Sequence, residues 1–218
     1  HMDCGIEIYD DETTASAGLS FEAMGCSEVL CVEGGSLTVN NGYYKSDYCV
    51  VDSGSTDYDE DFGNTERVSG MVVHVTKTGS LTIENGAFKS TASADTVHLN
   101  GTTGKVVING GNFSSGTGTA LCVSTGNNSS IDLTIAKGAF DYNCCNCCIE
   151  LPDGTGLKDY MAEGSIAISN AHSANPELMG EEELGASTYY CAVSIDKPLD
   201  IEVVVEGKGT VAMEPEQA

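Results

Sequence analysis

A ten-residue phrase occurs four times in this chain, and no other feature narrows the fold as much. The copies are Gly35-Ser-Leu-Thr-Val-Asn-Asn-Gly-Tyr-Tyr44, Gly79-Ser-Leu-Thr-Ile-Glu-Asn-Gly-Ala-Phe88, Gly104-Lys-Val-Val-Ile-Asn-Gly-Gly-Asn-Phe113 and Ile131-Asp-Leu-Thr-Ile-Ala-Lys-Gly-Ala-Phe140. They start at positions 35, 79, 104 and 131, so the gaps are 44, 25 and 27 residues. A period of this size marks one supersecondary unit per repeat, with successive units stacked on a shared core. Within the phrase, Leu37 and Val39, Leu81 and Ile83, Val106 and Ile108, and Leu133 and Ile135 alternate with Thr38, Thr82, Val107 and Thr134. Alternation of period two places the first set inside and the second in solvent. Gly42, Gly86, Gly111 and Gly138 fall where the chain must bend. The aromatic two residues later (Tyr44, Phe88, Phe113, Phe140) is expected to stack on its equivalents.

A second strand recurs beside the first: Val29-Leu-Cys-Val32, Val72-Val-His-Val75, Thr96-Val-His-Leu99, Ala120-Leu-Cys-Val123 and Cys148-Ile-Glu-Leu151. Two or three strands per repeat leave no room for crossover helices. The expected fold is therefore all-β, a right-handed parallel β-helix solenoid of about six turns with capping segments at both ends; the hand follows the rule for parallel crossovers. Residues 1–27 are expected to form an N-terminal partial turn or cap. Residues 28–164 carry the repeats, with an acidic insertion at 45–70, and 165–218 supply strands that close the other end.

Charge narrows the partners. Thirty-three acidic residues face nine basic ones, and the net charge is −24. Such a surface repels phosphate backbones, so no nucleic acid partner is expected. Anionic membranes and polyuronate sugars are disfavoured in the same way. No apolar run approaches the ~20 residues of a membrane span, so no membrane insertion is expected. No signal peptide is evident, and His1-Met2 reads as the remnant of an expression tag.

Aligning the second strands puts Cys31, His74, His98, Cys122 and Glu150 in one outward column. These residue types ligate zinc and other transition metals. Cys31 and Cys122 would lie at least three strand spacings apart, ~14 Å, so one four-ligand ion is excluded. A smaller site at His74 and His98, or at His98 and Cys122, fits, as does a plain solvated ladder. A Cys122–His98 nucleophile pair can also be drawn, but it lacks an oxyanion donor. In the acidic insertion, Asp57, Asp59 and Asp61 keep the alternate spacing that aims carboxylates at calcium, although the rest of the loop departs from an EF-hand.

Ten cysteines are many for 218 residues. Tyr48-Cys-Val50 matches Leu121-Cys-Val123, which would place Cys49 beside Cys31 in the column and within disulfide reach. Cys144, Cys145, Cys147 and Cys148 crowd one turn, with Cys4, Cys26 and Cys191 as candidate partners. Disulfide pinning and a thiolate metal cluster are both open for this run.

The G-x-[LV]-T-[IV]-x-x-G-x-[FY] phrase resembles the repeats of bacterial cell-surface and secreted right-handed β-helix proteins of the pectate-lyase-like class. Gly156-Leu-Lys-Asp-Tyr-Met-Ala-Glu-Gly164 is similar to a stretch that often follows such repeats in Gram-positive surface proteins. The resemblance implies an extracellular or cell-surface bacterial protein. It leaves three functions: a non-catalytic adhesin-like module binding a host or bacterial surface glycan or protein; a polysaccharide lyase or hydrolase; and a surface metal-binding protein. No catalytic motif of the class can be matched residue by residue, and the sequence sets no oligomeric state.

Overall fold

Short β-branched runs separated by Gly and Asn turns form strands here, and most of them pair in parallel. A computed structural model describes residues 7–9, 20–24, 28–47, 49–52, 65–68, 70–91, 93–126, 128, 130–142, 147–190 and 192–197. Three sheets hold nearly all the described strands, and the described residues are all-β apart from a 3-10 turn at Leu157–Asp159 and one short α-helix, Glu181–Leu184.

The third-sheet strands come from the repeated phrase. Ser36–Val39, Ser80–Ile83, Val106–Ile108 and Leu133–Ile135 pair in parallel, with Leu37, Leu81, Val106 and Leu133 in one register row. The end of the phrase feeds the first sheet. Ser20–Met24, Tyr43–Asp47, Ala87–Ser90, Asn112–Ser115 and Gly138–Tyr142 run parallel there. The second sheet holds Leu30–Val32, Val73–Thr76, Val97–Asn100, Leu121–Ser124 and Ile149–Glu150, again parallel. Each strand therefore pairs with the equivalent strand of the next repeat, which is why like residues line up.

The aromatic expectation is met in detail. Tyr44, Phe88, Phe113 and Phe140 stack with centroids 5.0 Å apart at each step and planes 7° to 11° apart. All four are buried, together with Leu81, Ile83, Leu99, Ile108, Leu121 and Ile135. Stacking adds about 0.5–1.5 kcal/mol per pair to the burial of each ring. The bend before the Phe88 and Phe113 rings needs glycine for two reasons. Gly86 and Gly111 take φ of 138° and 114°, and a Cβ there would meet the Phe88 or Phe113 ring at 3.0 or 3.1 Å. Gly138 has no such φ; it sits within the Gly138–Tyr142 strand, where its missing side chain makes room for the Phe140 ring.

Parallel order stops at both edges. Glu7–Tyr9 pairs antiparallel with Ser20–Met24. Val193–Asp196 lies antiparallel on Gly138–Tyr142, and Ile166–Ser169 and Glu177–Leu178 follow it in the first sheet. Thr188–Tyr189 lies antiparallel on Ile149–Glu150. Of the closing segment expected over 165–218, residues 198–218 lie outside the described residues.

The long first gap does not hide another repeat. Cys49–Asp52 pairs antiparallel with Thr65–Val68 as a separate two-stranded ribbon, and the strand next to Leu30–Val32 is Val73–Thr76. A three-residue likeness to Leu121-Cys-Val123 was too short to decide the pairing, because any Cys between β-formers matches it.

Candidate functional site

The outward column forms as expected. Register pairs run Cys31–His74, His74–His98, His98–Cys122 and Cys122–Glu150 along the second sheet. The neighbours of each are core residues: Val73 and Val75, Val97 and Leu99, Leu121 and Val123 are all buried. Alternation therefore forces the histidines and cysteines to the other face. Cys31 is exposed, but the two histidines are not fully solvated: their side chains keep only 16% and 20% of their exposure.

The partial burial has a cause that the strand alignment missed. Glu28 and Asp95 each lie three residues before a column member and fold over it. Glu28 Oε1 sits 2.6 Å from Nδ1 of His74. Asp95 Oδ2 sits 2.8 Å from Nδ1 of His98, and its Oδ1 accepts the Thr119 amide at 2.9 Å. Two groups result, Glu28 with Cys31 and His74, and Asp95 with His98 and Cys122; within each, one donor atom from every member lies within 4.8 Å of the others. The two are mirror versions in chemistry. The acid accompanies the Cys strand in the first group and the His strand in the second. His74 and His98 separate them, edge to face, with centroids 5.8 Å apart.

Electrostatics argue against an activated nucleophile. Burial, then a hydrogen bond to Glu28 and its charge, push the Cys31 thiol up to about 11. Burial, then the charges of Asp95 and Glu150, push the Cys122 thiol far above its ordinary value. A reactive thiolate needs the opposite environment. In a Cys-His-acid relay the acid and the thiol contact opposite sides of the imidazole. Here the carboxylate, the imidazole and the thiol of each group each bring one atom within 4.8 Å of the others, so three donors converge on one point. Burial alone would raise the Asp95 carboxyl, but the His98 and Thr119 hydrogen bonds outweigh it and hold the group below its ordinary value. Two buried side-chain polar atoms among the described residues have no hydrogen-bond partner, Nε2 of His74 at this site and Oγ of Ser46 away from it. Leaving such an atom unpaired costs about 1–3 kcal/mol.

The other expected residues divide into three sets. Cys31, Cys122 and Cys147 carry free thiols. The expected Cys31–Cys49 pair is therefore not formed, because Cys31 has His74 as its register neighbour and Cys49 belongs to the antiparallel ribbon. Cys147 is buried, with Thr119 and Glu150 in its surroundings, and Cys148 is fully buried in the apolar core. Asp57, Asp59, Asp61, Cys4, Cys26, Cys144, Cys145 and Cys191 lie outside the described residues.

Beyond the column, Cys122 and Glu150 border a surface cleft of ≈ 470 Å³ whose wall includes Asp153, Thr155 and Tyr160. Among the described residues no helix is long and apolar enough to cross a membrane. The chain matches no known protein family, no curated protein and no solved structure.

Proposed function

We propose that the chain is a right-handed parallel β-helix solenoid of the pectate-lyase-like kind, acting outside a bacterial cell as a non-catalytic binding or structural module. The observation that carries this reading is the equal-register parallel pairing of equivalent strands, one repeat apart, in three separate sheets. A chain that spends its sequence on repetition presents long, regular rows to solvent, which suits extended, weak recognition of a surface glycan or protein. The acidity fits the same role by keeping repeated strands from pairing with other chains. The environment that raises the Cys31 and Cys122 thiols is the opposite of what a nucleophilic cysteine needs, which fits a non-catalytic role.

A hydrolase is the second reading, and one observation favours it: Glu150 and Asp153 line the same cleft beside Cys122. Paired carboxylates flanking a sugar are what glycoside hydrolysis requires. A glycan array combined with a reducing-sugar release assay separates the two. Retention of neutral glycans with no sugar released supports the module. Sugar release that disappears in Glu150→Gln supports the hydrolase and overturns the non-catalytic reading.

A further inference from the structure

We propose that the protein holds two separate divalent transition-metal ions, zinc by the chemistry of the donors, one at Glu28, Cys31 and His74 and one at Asp95, His98 and Cys122. The claim goes beyond the module reading, since a solenoid needs no metal to stack.

Each group offers one sulfur, one imidazole nitrogen and one carboxylate oxygen. A thiolate with an imidazole selects borderline or soft ions over calcium or magnesium, which take oxygen donors. Three protein donors leave the fourth tetrahedral position to solvent or an outside donor, the open pattern of zinc sites that are not purely structural.

Distance decides how many ions fit. The first group uses the Cys31 and His74 strands, and the second uses the His98 and Cys122 strands. Their centres are thus two strand spacings apart, about 10 Å. Bridged metal pairs sit about 3.5–4 Å apart, so the sites are mononuclear. Donors about 2.1 Å from a tetrahedral ion lie roughly 3.4 Å from one another. The His74–Glu28 and His98–Asp95 pairs, at 2.6 and 2.8 Å, must open by less than an ångström as the ion replaces the shared proton. Half-buried side chains above a sheet can make that movement without disturbing the core.

A second observation comes from outside the donor count: the acids recur by position. Glu28 and Asp95 stand three residues ahead of the column on alternate strands, while Met71 and Thr119 take that place on the strands between. One acid is thus supplied for every two strands, which is the number the two sites need.

The test uses the full chain, reduced and stripped with chelator, titrated with zinc and weighed by native mass spectrometry. Cys31→Ser and Cys122→Ser are each expected to bind one ion fewer than the unaltered chain, and the double variant two fewer. The affinity lost at each site should exceed the roughly 10–100-fold that changes outside a ligand set produce. Equal zinc counts in all four proteins would overturn the proposal. Should a column variant not fold, X-ray absorption on a Cys144→Ser/Cys145→Ser chain answers the same question. The expected shell is one sulfur at about 2.3 Å with nitrogen and oxygen near 2.0 Å. An all-sulfur shell, or no bound zinc, overturns it.

Discussion

Two ladders run along the same repeats and obey opposite rules. The inner one, Tyr44, Phe88, Phe113 and Phe140, repeats nearly one residue type at a constant 5.0 Å. The outer one, Cys31, His74, His98, Cys122 and Glu150, changes type at almost every strand. Both are set by the same register, yet only the inner ladder must fill a closed volume. Close packing punishes variation there, because neighbouring rings share each contact surface. The outer ladder is released from that demand, so it can carry donors whose value lies in being different from one another.

The comparison breaks most readily from the inside. Phe113 stacks on two rings and is 1% exposed. Phe113→Ala should cost about 3–5 kcal/mol, through lost burial and the cavity left between Phe88 and Phe140. Urea unfolding measures it. A loss below about 1 kcal/mol would mean that the rings do not hold the repeats in step.

An intermediate effect is expected where the outer ladder ties two strands together. Asp95 links His98 on one strand to the Thr119 amide on the next. Asp95→Asn in the metal-free chain should cost about 1–2 kcal/mol at pH 7, by weakening a charged hydrogen bond. The pH dependence has a definite sign. The Asp95 carboxyl is held below its ordinary value in the folded chain, so its contribution is present in full above the unfolded value, about pH 4. That contribution is lost as pH falls through the lower folded value. The gap between the two proteins should therefore close as pH falls well below about 4. A gap that persists undiminished there would contradict the assignment.

The smallest effect belongs to the outward face of the third sheet. Thr82 pairs in register with Val107, so this row already accepts both side chains. Thr82→Val should change stability by no more than about 0.5 kcal/mol, read from the same unfolding curves. A larger change would show that this row, too, is constrained.

How much of this was legible in the sequence follows the same division. The inner ladder was readable because Gly-x-[FY] recurs at each repeat, and the outer column because its flanking Val and Leu residues alternate. Glu28 and Asp95 were not placed with the column because they precede their strands. Alternation says nothing about a turn residue whose side chain reaches back over the sheet. Their signal was an acid three positions before Cys31 and again before His98. Cys49 misled for a related reason. A Cys between β-formers looks the same in an antiparallel ribbon as in a parallel ladder, and only the pairing partner, Val68, distinguishes them.

The shared register is the central claim, and backbone contacts of the His98 strand test it most directly. In solution NMR, amide and α-proton contacts from Val97–Asn100 should reach Val73–Thr76 on one side and Leu121–Ser124 on the other, with His98 level with both His74 and Cys122. A slip of one residue would set His98 against Val73 or Val75 and turn the column into the core. Contacts showing that slip, or an antiparallel pattern at these strands, would contradict the account.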